Sequence, residues 1–268
     1  MTPVSATSRK FSLLAVYAVL VFAFIYLPIF VLVVYSFNRD GVGGFPPRHF
    51  TLDWYRQLFS DSAIWDSVFN SLIVAAGAVA LSLTLGLLAA LALDRSDFPG
   101  KSLFRRLVLL PLILPGIITG LSLLLFAVRV SLDLSLVTIF LGHGTALISV
   151  ATTELFAGLQ KMDRRQEEAS LDLGATPWRT FWLITLPNLK LSLIAAALLI
   201  FTLSMDEIAV TFFLYGREYT LPLEIWGRLR RGITPEINAI STIILLVSII
   251  LITVWYHLRT RAERSQRS

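Results

Sequence analysis

Apolar residues recur along this chain in long runs, and the polar residues gather in the gaps between them. Six runs can be read, at 11–35, 64–93, 103–128, 134–158, 191–215 and 239–257. Each is near or above the ~20 residues that a helix needs to cross a hydrocarbon core. The pattern predicts an all-α integral membrane protein with six transmembrane helices. In the second run Ala78, Ser82, Gly86 and Ala90 repeat at four-residue spacing, a small-residue stripe that lets another helix approach closely. In the third, Pro111, Pro115, Gly116 and Gly120 predict a break or bend, with Gly116 and Gly120 as a GxxxG pair. Such a bend suits a kinked packing helix or the flexible wall of a pathway.

Two amphipathic pieces lie between runs. Residues 50–59 place Trp54, Tyr55, Leu58 and Phe59 where they would lie at the membrane interface as an aromatic belt. Residues 222–231 read as a helix begun by Pro222, with Leu223, Ile225, Trp226 and Leu229 on its apolar side. Thr234, Pro235 and Glu236 then read as N-cap, first residue and dipole-favoured acid of the last span. The longest polar interval, 160–187, predicts two short helices joined by a turn. Gly174 closes the first in a left-handed conformation, while Thr176 caps the second and Pro177 opens it. In that second helix Trp178, Phe181, Trp182 and Leu186 fall on one face, which calls for burial, and Pro187 is expected to end it.

Composition supports the membrane reading. Of 268 residues 56% are hydrophobic and 15% charged, against about 25% charged in soluble domains. The runs continue without a compositional break, so residues 1–268 read as a single transmembrane domain. Cysteine is absent, which excludes disulfides and thiolate metal sites. The net charge of +5 matters less than where the charges fall. With the N-terminus inside, the inner loops hold Arg9, Lys10, Arg95, Lys101, Arg105, Arg106, Lys161, Arg164, Arg165, Arg179, Lys190, Arg259, Arg261, Arg264 and Arg267, leaving eight of 23 basic residues outside. The N-terminus (1–10), the 160–187 elbow and the tail (258–268) are therefore expected in the cytoplasm. The first run is too long for the ~7–15-residue core of a signal peptide and reads as an anchor.

Candidate chemistry is sparse. Asp206 and Glu207 lie in the fifth run, where an ionised side chain costs at least ~2.5 kcal/mol by insertion scales. At ~1.5 Å per residue Asp206 falls about 22 Å into the core, in its outer half. One reading has Asp206 and Ser204 lining an outward pathway for a cationic solute; the other pairs the acid with Arg228 or Arg230 at a gate. Gly100-Lys101-Ser102 resembles the tail of a phosphate-binding loop, but Arg95 stands where its first glycine belongs. Ser122 and His143 suggest a protease dyad, yet the motif around Ser122 lacks its second glycine. A lone membrane histidine is ordinarily a packed hydrogen-bonding residue. No cluster has metal-ligand spacing.

Glu168, Ala169, Ser170, Gly174, Ile184, Leu186 and Pro187 together resemble the cytoplasmic signature of permease subunits of binding-protein-dependent ABC importers, with Ser170 where alanine is commoner. Residues 201–207, the Leu221-Pro222 piece, 234–239 and the early Asn70-Ser71-Leu72 are similar to the second permease of spermidine/putrescine-type systems, except that position 207 is Glu where that branch implies Asp. The resemblance implies the type I ABC importer permease fold and a transport subunit that is not itself an enzyme. ATP and magnesium would be bound by partner ATPase subunits, with no cofactor in this chain. It implies a homologous permease partner, two ATPase subunits docking on the 160–187 elbow, a periplasmic or extracellular solute-binding protein, and residence in a bacterial cytoplasmic (inner) membrane. Nucleic acid has no part in it. Polyamines are the expected solute, with opines, phosphonates, thiamine or iron as alternatives. An ion-coupled secondary transporter is the alternative from another class, although its internal repeats are not evident.

Overall fold

In a computed structural model that describes residues 5–40, 47–232 and 234–265, the chain is helical, and side chains are described from residue 13 to 250 and at 253, apart from the gaps. Parts of the expected cytoplasmic termini, residues 1–4 and 266–268 with Arg267, lie outside the described residues. The helices form two compact units, residues 1–62 with 225–268, and residues 63–224.

The first unit contains α1 (Ser5–Tyr35), α2 (Asp53–Ser60), the end of α12 (Leu221–Arg231) and α13 (Pro235–Ser265). From Leu13 to Tyr35 α1 is apolar enough to span, and it leaves its large side chains exposed, as a lipid-facing helix does. The expected aromatic belt is corrected in part. Trp54 Nε1 donates to the Asn38 carbonyl at 2.9 Å, the Tyr55 hydroxyl meets Ser36 Oγ at 2.6 Å, and Leu58 is buried. The polar ring atoms find partners in the turn after α1, so Phe59 alone of the four stays exposed. Arg228 pairs with Asp61 at 2.7 Å and approaches Glu236 at 3.8 Å, and Pro235 opens α13 as expected.

The second unit is built on α3 (Ser62–Arg95) and α6 (Leu136–Lys161). Ala78, Ser82, Gly86 and Ala90 are all buried, and the helix they admit is α6. Ser82 Oγ donates to the Gly144 carbonyl at 2.8 Å, and a Cβ on Gly86 would stand 3.0 Å from the Thr152 nitrogen and closer still to Ala151. Backbones this close need small residues, which is what the stripe supplies. Ala90, Leu155, Leu159, Leu189 and Ala196 form one apolar cluster, and Val74, Ile139, Val210 and Leu214 another.

Two expected spans are bent. The third comprises α4 (Lys101–Leu109), a tight turn through Leu112 and α5 (Gly116–Arg129), and its halves meet at 105°. Pro115, extended at ψ 137°, precedes Gly116, so the bend falls where the sequence placed it. Gly120 packs against the Phe213 ring, 2.8 Å from its would-be Cβ, and against the Ala209 carbonyl oxygen and Val210 Cα, each at 3.0 Å, where the chain leads into α11. The fifth run is not one helix: α10 (Lys190–Met205) ends before Asp206, and α11 (Thr211–Leu214) follows only after residues 206–210. Among the described residues three helices are long and apolar enough to cross a membrane, or five if each bent pair is one span. The sixth expected span, 239–257, runs past the described side chains.

Candidate coupling elbow and pathway residues

The elbow forms as its residues dictate. Helix α7 (Arg165–Asp172) has Glu167 and Glu168 in its first turn, the end where the helix dipole favours acids. At its other end the Gly174 N–H donates to the Leu171 carbonyl at 2.9 Å and the Ala175 N–H to the Ser170 carbonyl at 3.1 Å, with Gly174 at φ +84°. That is a Schellman motif, which closes a helix on a left-handed residue. Thr176, extended, accepts the Arg179 N–H and caps α8 (Pro177–Thr180), which starts on Pro177. Ser170 and Thr180 hydroxyls meet at 3.0 Å across the bend.

Beyond Thr180 the helix widens. Residues Phe181–Thr185 form a π turn, closed by the Leu186 N–H on the Phe181 carbonyl, and α9 (Leu186–Asn188) follows. Pro187 does not end the helix. It sits within the Pro177–Asn188 stretch that the π turn relaxes, because a wider turn accommodates a residue without an N–H. The Leu189 N–H still reaches the Thr185 carbonyl at 3.0 Å, and the chain turns 66° into α10.

The aromatic face is not buried within the chain. Trp178, Phe181 and Trp182 cluster with ring centroids 5.5–6.0 Å apart, yet Trp178 is 69% exposed and Trp182 and Leu183 are exposed too. Leu173, at the bend, is 89% exposed. What holds the elbow to its own chain is polar. Glu167 Oε2 lies 2.8 Å from Arg95 Nη2, Oε1 accepts the Thr185 hydroxyl at 2.5 Å, and Asn188 donates to Gln166 at 2.9 Å. Arg95 Nη1 is 3.2 Å from Asp94 Oδ2, while Asp94 Oδ1 accepts from Arg164 at 3.0 Å and from Gln160. The two Arg95 contacts are charge contacts without the alignment of a hydrogen bond.

Of the seven elbow residues read from sequence, Glu168, Ala169, Gly174 and Pro187 are exposed, Ser170 bonds Thr180, and Ile184 and Leu186 are half-buried. Asp94, Arg95, Gln160, Arg164 and Glu167 were not singled out as a group. The available signal was an acid and a base in the last turn of a span, where an unpaired acid is rare.

The second set lies around the break after α10. Ser204 is buried and turned to His143, whose Nδ1 it meets at 2.8 Å, while His143 Nε2 meets the Thr211 hydroxyl at 2.8 Å. The Thr211 hydroxyl donates its one proton to the Glu207 carbonyl at 2.8 Å. Its oxygen must then accept from Nε2–H, which leaves Nδ1 to accept from Ser204. The histidine is thus the packed hydrogen-bonding residue expected from sequence. Ser204 is spent on this network and does not share a face with Asp206, which caps α10 and is exposed. Glu207 turns back to accept the Val210 N–H at 2.9 Å and lies beside Gly116.

Long paired spans, two bent spans and a helix–glycine–helix elbow together define a helical membrane protein. The chain belongs to the family described as binding-protein-dependent transport system inner membrane component, whose profile matches residues 82–268. It is 38% identical over 258 residues to the putrescine transport system permease protein PotI of Escherichia coli, covering 91% of this chain and 90% of that one. It is 32% identical over 246 residues to the spermidine/putrescine transport system permease protein PotC of Haemophilus influenzae, covering 91% and 95%. Among solved structures, a chain of a bacterial ABC transporter involved in the import of the acidic polysaccharide alginate superposes with TM-score 0.71 at 18% identity, over 97% of this chain and 99% of that one. A chain of the MetNI methionine ABC transporter gives 0.59 at 17%, over 78% and 97%. These establish the type I ABC importer permease fold and a multi-pass inner-membrane component of a binding-protein-dependent transport system.

Proposed function

We propose that this chain is one permease subunit of an ATP-driven polyamine importer. It pairs with a homologous permease to enclose the pathway. Two ATPase subunits hydrolyse ATP on the cytoplasmic side, and a periplasmic or extracellular binding protein delivers the solute. The observation that carries the docking role is the exposed apolar surface of the elbow, Leu173, Trp178, Trp182 and Leu183, on a turn that is rigidly closed by Gly174 and Thr176. Tryptophan and leucine left in water at a bend are what a partner's groove would cover. Glu168, Ala169, Ser170, Gly174, Ile184, Leu186 and Pro187 set the shape of this elbow, and both termini share its cytoplasmic side. The polyamine assignment is supported by the names of the relatives that match along nearly the whole chain.

Asp206, exposed at the end of α10, is the residue proposed to attract a cationic solute. Glu207 and Ser204 hold the break that presents it. The test is to purify the chain with the products of neighbouring genes, reconstitute the complex in vesicles with the binding protein, and follow labelled putrescine and spermidine. ATP-dependent accumulation of either is expected. Copurification without an ATPase, or uptake that an ion gradient drives without ATP, would overturn the reading.

A further inference from the structure

Leu173, Trp178, Trp182 and Leu183 of the elbow are left uncovered by its own chain, which raises the question of what carries its movement into the spans. The chain joins it covalently to α6 and α10. Its lateral tie to α3 is electrostatic. Glu167, on the first turn of α7, and Asp94, in the last turn of α3, share the Arg95 guanidinium at 2.8 and 3.2 Å, and Asp94 also takes Arg164 and Gln160 from the chain leaving α6. The acids are shielded: the Asp94 side chain is 0% exposed, Glu167 15% and Arg95 23%. Charges removed from water interact strongly and tolerate little separation. Surface ion pairs would slip under load, whereas this cluster is also locked by the Thr185 hydroxyl on Glu167.

The geometry points to Arg95 as a positioning residue of the transport cycle: the Asp94–Arg95–Glu167 clasp stays closed throughout and makes α3 move with the elbow. This rests on the reading of the elbow as an ATPase dock. Because α3 packs along α6 through its small-residue stripe, the clasp joins both long helices to one lever. The chain has no cysteine, so Arg95→Cys with Glu167→Cys introduces its one reactive pair. In the complete complex, with partner subunits made cysteine-free, the double variant is expected to assemble and hydrolyse ATP while uptake falls about two- to thirtyfold, the range of coupling changes for such networks. Bifunctional thiol reagents of increasing span, with the linked peptide verified by mass spectrometry, should restore uptake at one span. Unchanged uptake before linking, or no recovery at any span, overturns the proposal. Should the double variant not assemble, Glu167→Gln in the assembled complex must lose uptake with ATP hydrolysis retained; full uptake overturns it. If the unaltered chain recruits no ATPase, it is the dock that fails, and that result is read before any variant.

Discussion

At Gly174 the backbone requires φ +84°, and nothing lies within 4 Å of the position a Cβ would take. The cost of a side chain there is conformational rather than steric, about 1–2 kcal/mol for an L-residue in the left-handed region and more for a β-branched one. Gly174→Val is expected to loosen the elbow so that uptake falls while the ATPase still copurifies, and Gly174→Asn, which tolerates that region, should keep most of the uptake. Normal uptake with Val would count against a rigid elbow. His143 makes a different demand. It pairs with two buried hydroxyls, so His143→Leu leaves Ser204 without its side-chain partner, at about 1–3 kcal/mol for an unsatisfied group, and takes from Thr211 one of its two bonds while the one to the Glu207 carbonyl remains. Thermal inactivation of the detergent-solubilised protein should shift to lower temperature; an unmoved midpoint would mean that the hydroxyls find other partners.

Among the elements, α3 and α6 are held by the absence of side chains as much as by their presence. A side chain at Gly86 meets Ala151 and the Thr152 backbone, neither of which can rotate away. Gly86→Leu is expected to cost at least the ~1–3 kcal/mol of an overpacked core and to lower the yield of monodisperse protein extracted from membranes. Gly227→Ala, in α12 where a Cβ meets nothing within 4 Å, is the control and should be neutral or slightly stabilising. The stripe was legible because four-residue spacing survives any tertiary arrangement. The π turn at Phe181–Thr185 was not, since no residue type marks where a helix will widen. The end of α10 at Met205 was hidden for a related reason: the break is stabilised by Glu207 capping Val210 and by His143, 60 or more residues away in sequence.

For the whole molecule, the exposed apolar surfaces divide into those that lipid satisfies and those that it cannot. Helix α1 belongs to the first kind. Trp178 and Trp182, on an elbow that also carries exposed Glu168 and Asp172, belong to the second, because an anionic membrane surface disfavours acids. Replacing both tryptophans by alanine should leave the chain folded, as neither is buried in it, and should reduce ATPase copurification in a pull-down. Retention of the ATPase would place its seat elsewhere. Asp206→Asn separates transport from coupling: uptake of a polyamine into vesicles should fall while the basal ATPase rate, measured in parallel, is kept. Unchanged uptake would remove Asp206 from the pathway.

Sequence by itself determined the membrane class, the close approach along Ala78–Ser82–Gly86–Ala90, the bend at Pro115 and the elbow's turn at Gly174-Ala175-Thr176-Pro177. Each of these depends on local chemistry: hydropathy over a span, side-chain size, or the backbone angles a residue allows. Tertiary structure alone decided that the aromatic face of the elbow stays open, that the Ser204 hydroxyl bonds His143, and that Asp94, Arg95 and Glu167 meet. Those outcomes depend on which groups are brought together from separate helices. An unpaired charge or hydroxyl in low dielectric is costly enough that the partner it finds, and not its own position in the chain, sets its role.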